Sequence, residues 1–257
     1  MKMYYNEFGG NMDSNQVNYD FAKAWDLNQG DFAETIAQNI INFASVNNRK
    51  IQTVYDVCCG ASNLIGVFEA KGYKCFGTET RQGMYDYSKE KHPNTTYFLT
   101  KNMYDVPGKH KVDVITCTHD IVNYFENFGQ WEEFFENVAK HLDKKGMFVF
   151  DFYTKHKLKD WNETTFKHSH HLDYLMNVKS GVYDKTVITY TYFINYDQYY
   201  IKTRDVVVES YFDNDTIFAA LKKAGFKNIQ IVDHNLSPIS GENLEYTDRI
   251  HVIAMKK

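Results

Sequence analysis

The chain has 257 residues, 43% of them hydrophobic and 24% charged, which is enough for one large globular domain or a domain carrying an insertion. A formal net charge of −4, with no basic stripe interleaved with aromatics, argues against a nucleic-acid partner. The four cysteines (Cys58, Cys59, Cys75, Cys117) form no Cys-x-x-Cys pair, and no apolar run reaches membrane-span length; both point to a reduced, cytoplasmic protein with no membrane partner.

Residues 1–29 read as an irregular but aromatic segment, with Tyr4, Tyr5, Phe8, Tyr19, Phe21 and Trp25. A helix follows over Asp31–Val46, with Asp31 as N-cap, Glu34 three residues on, and Phe32, Ile36, Ile40 and Phe43 at helical spacing. Val54-Tyr55-Asp56-Val57 then runs into a loop of small residues, Cys58 to Asn63, which feeds a helix from about Leu64 to Lys71. This strand, tight turn and helix make the ligand-holding half of a nucleotide-binding α/β fold. A second strand, Cys75–Thr78, ends in Glu79, a carboxylate placed to accept both ribose hydroxyl protons of an adenosine. A dinucleotide fingerprint needs three glycines, and here only Gly60 remains, flanked by Cys58 and Ser62. Asp56 at the start of the turn repels a pyrophosphate and suits a cationic ligand.

Further on, the pattern gives a helix over Met84–Lys91, stopped by His92-Pro93-Asn94, and strands at Thr96–Leu99, Val112–Cys117 and Met147–Phe152, with a helix over Trp131–Leu142. From Tyr153 to Phe212 two β-rich runs, Thr186–Asn195 and Tyr199–Phe212, read as an antiparallel hairpin about Tyr196-Asp197-Gln198. A helix over Asp213–Ala224, stopped by Gly225, precedes strands at Lys227–Val232 and Ile250–Met255, expected to close the sheet as an antiparallel pair. The connection His234–Asp248 is long, carries Ser240-Gly241-Glu242, and reads as a wall of the ligand site.

The loop Asp56-Val57-Cys58-Cys59-Gly60-Ala61-Ser62-Asn63 resembles the Asp-Leu-Gly-Cys-Gly-Thr-Gly-Asn loop of class I S-adenosylmethionine (SAM)-dependent methyltransferases. Gly77-Thr78-Glu79-Thr80, followed by Met84, resembles that family's Gly-Val-Asp-Leu-Ser…Met segment over ribose and adenine. The resemblance covers nearly the full chain. It implies a Rossmann-like α/β fold, a seven-stranded mostly parallel sheet with helices on both faces and an antiparallel β cap, with SAM as cofactor and S-adenosylhomocysteine as product. The expected divisions are an N-terminal lid and helix (1–50), a SAM-binding core (51–153), the cap (154–212) and the rest of the core (213–257). Cofactor contacts are implied for Tyr19, Trp25, Asp56, Cys58, Gly60, Ser62, Glu79, Thr80, Met84, Asn102, Met103 and Thr118; Asn102 stands where the family usually has an acid.

Thr118-His119-Asp120-Ile121-Val122-Asn123-Tyr124 resembles the Leu-Asp-Ser-x-Asn-Tyr stretch of small-molecule members and departs from it at His119. Methylating an alcohol needs a base, so His119 is the first catalytic candidate; Asp120 is a candidate to orient an imidazole or bind a sugar hydroxyl, and Tyr19 and Tyr124 to shape the pocket around the sulfonium. His168, His170 and His171, with Asp173 nearby, lack the further ligands of a closed metal site, and no metal is expected. The cap pattern resembles that of sugar and amine methyltransferases, where it roofs the acceptor site and can mediate dimer contacts. The leading expectation is O-methylation of a sugar hydroxyl, as a sugar or nucleotide sugar of the kind found in surface or capsular polysaccharide, by a homodimer joined through the cap. N-methylation of an amino sugar or small amine is the alternative, and a non-catalytic SAM-binding module is the alternative of another class.

Overall fold

In the computed structural model the described residues are 13–28, 32–196, 199–233, 237–239, 241–244 and 246–256. The expected cap at Asp31, the turn residues Asp197 and Gln198, the aromatics Tyr4, Tyr5 and Phe8, and Ser240 lie outside them. Seven strands form the main sheet: β1 (Thr53–Asp56), β2 (Lys74–Glu79), β3 (Thr96–Leu99), β4 (Val112–Cys117), β5 (Leu142–Tyr153), β10 (Phe226–Val232) and β11 (Arg249–Lys256). Their order is β10-β11-β5-β4-β1-β2-β3, with β1 to β5 parallel and β11 antiparallel to both β5 and β10. This is the Rossmann-like α/β architecture expected from the sequence, closing antiparallel pair included.

The alternation of each strand divides its side chains between two layers. Tyr55, Ile115, Phe148, Phe150 and Phe152 face an aromatic-rich layer under α5 (Phe128–His141) and α7 (Asn214–Lys223), where Trp131, Phe134 and Phe135 are fully buried. Val54, Val114, Met147 and Val149 face an aliphatic layer under α2 (Phe32–Val46) and α3 (Asn63–Ala70). Much of the high phenylalanine content is therefore core of one layer, concentrated under α5.

Two expectations are corrected. The segment before residue 29 contains a regular helix, α1 (Ser14–Asp26), capped by the Asp13 carboxylate accepting from Asn15 N at 2.9 Å. Its apolar face is narrow (Val17, Phe21, Ala22, Ala24) because it docks on the first turns of α4 (Gln82–Lys91), where Gly83 lets the two backbones meet. The cap is also larger than a hairpin. After the short α6 (Lys155–Leu158), β6 (Glu163–Lys167), β7 (Leu172–Val182), β8 (Lys185–Tyr196) and β9 (Tyr199–Glu209) form a separate four-stranded antiparallel sheet in sequential order. The inner face of that sheet, with Leu172, Tyr192, Ile194 and Ile201, packs against α1 and Met84.

Candidate functional site

The carboxyl ends of β1, β2, β4 and β5 converge beneath the cap, the position where open α/β sheets bind ligands. Asp56 closes β1. It is buried, its Oδ1 accepting from Thr116 Oγ1 at 2.7 Å, and burial pushes its carboxyl up to about 7. It ties the tips of β1 and β4 together rather than standing open to a cationic ligand. The loop beyond it turns left-handed at Cys58 (φ 54), Gly60 (φ 56) and Ser62 (φ 60). The backbone alternation of a glycine-rich loop is thus retained with side chains at two positions, each costing about 1–2 kcal/mol. Fixed hydrogen bonds hold it there: Cys58 N to Thr78 Oγ1 (3.0 Å), Cys59 N to Thr78 O (2.9 Å), Ser88 Oγ to Gly60 O (2.7 Å) and Cys58 Sγ to Met103 O (3.5 Å).

Glu79, at the tip of β2, is 5% exposed. Its Oε1 accepts from Thr80 N (2.7 Å) and Arg81 N (2.9 Å), and its Oε2 from Gly60 N (3.2 Å). A carboxylate has about four acceptor sites, so Oε2 keeps capacity for a ligand hydroxyl while the backbone fixes its direction. This donor and acceptor set fits the adenosine of the cofactor implied by the sequence. Cys58, Gly60, Glu79, Thr80, Met84 and Met103 are brought around one crevice, with Ser62 at the start of α3. Asn102 is exposed beside Met103, its own N–H bonded to Asp105 Oδ2 (3.1 Å). Trp25 stacks on Phe21 (5.8 Å), within the cluster that holds Met84. Tyr19 is placed differently from the expectation: its hydroxyl donates to Glu90 Oε2 (2.7 Å) on α4, directed along the helix pair rather than toward the strand tips.

Thr118 follows β4, half-buried, and the next two residues, His119 (φ 65) and Asp120 (φ 51), both take the left-handed conformation rare for side-chain-bearing residues. The His119 ring packs edge-on against Phe32 (4.4 Å). Burial, aided by Arg249 and His251 and opposed by Asp151, lowers its pKa to about 4. At neutral pH it is uncharged and a weak base. Asp120 Oδ1 pairs with Arg249 Nη2 at 2.9 Å, and its N–H donates to Asp151 Oδ2 (3.2 Å). It partners the arginine, in place of the expected role of orienting an imidazole. Burial and Asp151 raise Asp120, Arg249 and Tyr124 lower it, and the result is about 6.

Residues the sequence reading missed complete this end. His251 lies opposite Asp151 in the β5–β11 register, and Arg249 lies two residues along the same face. Arg249 Nε donates to Asp151 Oδ2 (2.6 Å), Nη2 also pairs with Asp151, and the guanidinium lies 4.8 Å from the Tyr153 ring centroid. Glu209 ends β9. The turn Ile121–Tyr124 presents Asn123, whose Nδ2 donates to Tyr153 O (3.0 Å) and Ser210 O (2.9 Å) while its Oδ1 accepts from Tyr153 N (2.9 Å). One amide thereby sets Glu209 near Asp120, Tyr124 and Tyr190 of β8, whose ring stacks on that of Tyr192 at 5.4 Å. The sequence signal for Asp151 was its charge inside the run Met147–Phe152; Glu209 and Arg249 carry no comparable local signal. In the cap, His168 Nδ1 bonds Asp173 Oδ1 (2.8 Å) and His170 stacks on His171 (4.6 Å).

Residues 29–231 match the model of a methyltransferase domain family. No functionally curated protein matches the sequence. Among solved structures, an S-adenosylmethionine-dependent methyltransferase from Clostridium acetobutylicum superposes with TM-score 0.77 at 20% identity, covering 87% of this chain and 91% of that one. SAM-bound CalS10, an amino pentose methyltransferase from Micromonospora echinaspora, gives 0.72 at 14% identity over 92% and 96% of the two chains. The sugar N-methyltransferase KedS8 from Streptoalloteichus gives 0.71 at 16%, over 90% of each. At these identities the likeness is one of fold.

Proposed function

Starting from the fact that the chain belongs to the methyltransferase domain family, we propose that it is a SAM-dependent N-methyltransferase of a small, amine-bearing, sugar-like acceptor. When bound, SAM supplies a methyl group activated by its sulfonium. The residues that would hold it are Glu79, Gly60 and Met84 with the Cys58–Ser62 loop, joined by Thr80, Met103, Thr118 and Trp25 around the same crevice.

One observation carries the choice of nitrogen. At the acceptor end the buried Asp120, Asp151 and Glu209 face a single cation among the described residues, Arg249, while His119 is held as a weak base. A hydroxyl acceptor needs a competent base as its C–O bond forms; an amine needs a site that attracts an ammonium and presents the neutral nitrogen. Acidic groups and stacked tyrosines attract a cation. The hydroxyl acceptor expected around His119 is the less supported reading. CalS10 and KedS8, by their own descriptions, act on an amino pentose and on a sugar nitrogen, which accords with this choice. A cap-mediated homodimer is proposed alongside it: Phe166, Val206 and Val208 are exposed on the cap, and sedimentation gives the mass directly.

The experiment is mass spectrometry of acceptors after incubation with SAM, using amino sugars, nucleotide-linked amino sugars, small amines and the matching neutral sugars. Methyl gain on amines is expected. Gain on neutral sugars alone refutes nitrogen and returns the base question to His119.

A further inference from the structure

Glu209 is 1% exposed, and its Oε2 has no hydrogen-bond partner among the described residues. A buried acceptor left without a donor costs about 1–3 kcal/mol, a cost removed when a ligand supplies the donor. Its place is fixed by Asn123 through Ser210 on one side and by the pairing of Glu209 with Thr186 on the other. The groups that face it come from every neighbouring element: Asp120 after β4, Tyr124 in the following turn, Tyr153 at the end of β5, Tyr190 on β8 and Arg249 at the start of β11. Arg249 is the cation among them, and it is engaged by Asp120 and Asp151.

We propose that Glu209 is the residue that recognises the acceptor nitrogen: Oε2 receives an N–H of the acceptor amine and takes up the proton that the nitrogen must lose. This rests on the amine reading above. The orphaned oxygen has groups of the cap (Tyr190) and of the main sheet's edge (Asp120, Arg249) around it, so a ligand that reaches it is held by the cap and the sheet together. Burial and the neighbouring Asp120 push the Glu209 carboxyl up to about 9, with Arg249 opposing. That is close to the range of an aliphatic ammonium. An entering ammonium displaces the proton that Glu209 carries, which leaves to solvent. One N–H then breaks, an O–H forms on Oε2, and the electron pair stays on nitrogen. Matched affinities for the proton make this exchange cheap in both directions.

The test is calorimetric and independent of turnover. The protein saturated with S-adenosylhomocysteine is titrated with 6-amino-6-deoxy-D-glucose and with D-glucose at pH 8. The amino sugar is expected to bind at least tenfold tighter, with proton release that scales the heat with the buffer's ionisation enthalpy. In Glu209→Gln, which replaces a neutral carboxyl by a neutral amide of the same shape, the preference falls below threefold and the proton release disappears. The exposed Glu133→Gln keeps both, and a retained thermal shift with S-adenosylhomocysteine shows that each variant is folded. An amine preference that survives Glu209→Gln unchanged overturns the inference and leaves the amine reading standing. Absence of any preference in the unmodified protein overturns the amine reading and the inference with it.

Discussion

Gly83→Ala separates the docking of α1 from the stability of the core. A Cβ at Gly83 would lie 2.1 Å from Asn15 O and 2.6 Å from Tyr19 N, both backbone atoms of α1. Neither can rotate away, so α1 must retreat by about 1 Å or more to restore ordinary contact distances. Val17 and Phe21 are the large side chains that α1 buries. At about 1.5–3 kcal/mol each, they hold the helix by roughly 3–6 kcal/mol. A helix of this length is marginal on its own in water, so a helix displaced from its site melts. Within α4 the same change is favourable by about 0.8–1 kcal/mol, because alanine is the better helix former. The assay is hydrogen exchange with peptide resolution. Loss of about half the docking energy, roughly 1.5–3 kcal/mol, predicts a drop in protection of about 10- to 150-fold over residues 14–26 with β4 and β5 unchanged. S-adenosylhomocysteine affinity should fall by at least tenfold, because α1 covers the side of Met84. Unchanged protection over 14–26 together with a raised melting temperature would refute the argument.

The remaining expectations concern charge. Glu79→Gln removes a charge-assisted acceptor worth about 1.5–3 kcal/mol, so the Kd for S-adenosylhomocysteine should rise about 10- to 100-fold by calorimetry. Arg249→Met leaves Asp151, 0% exposed, beside Asp120 without its cation, and should cost about 3–5 kcal/mol in denaturant melts. Glu209 has its folded pKa raised to about 9 from the ordinary 4.5, so between those values the native state binds more protons than the unfolded one and stability falls as pH rises. The melting-temperature gain of Glu209→Gln should therefore grow from pH 5 to pH 9; a gain independent of pH would mean that Glu209 is ionised throughout. His119 keeps its proton only below about pH 4, so His119→Gln should retain more than a tenth of kcat and leave the pH–rate profile near neutrality unmoved.

The parallel core was legible because its strands are apolar runs that end in chemically distinct residues: Asp56, Glu79 and the pair His119-Asp120. Buried central strands and tight turns write themselves into local sequence. Helix α1 was not legible. Its helical stripe rests on Val17, Phe21 and two alanines, and its partner surface, opened by Gly83, lies far along the chain. Strands β6 and β7 were missed for a related reason: as cap strands open to solvent on one side, Glu163–Lys167 and Leu172–Val182 carry polar and charged residues through much of their length. The acceptor end was the least legible part. Asp120, Arg249 and Glu209 come together only through the antiparallel register of β11 on β5 and the hydrogen bonds of Asn123, and neither is a local property. The proton affinities of His119 and Glu209 follow from burial, which spacing does not encode.

The side chain of Asn123 holds Tyr153 and Ser210 at one point, so the long excursion between them leaves and rejoins the main sheet through a single post. Closure entropy rises only slowly with the length of such an excursion. Segments of quite different size and shape could therefore be grafted between the same two anchor residues at little cost to the folding of the sheet. If, as proposed, the cap helps to recognise the acceptor, acceptor choice in this architecture is an exchangeable part. A chimera that keeps Asn123, Tyr153 and Ser210 and imports another cap would change which molecule is recognised while inheriting the cofactor crevice intact.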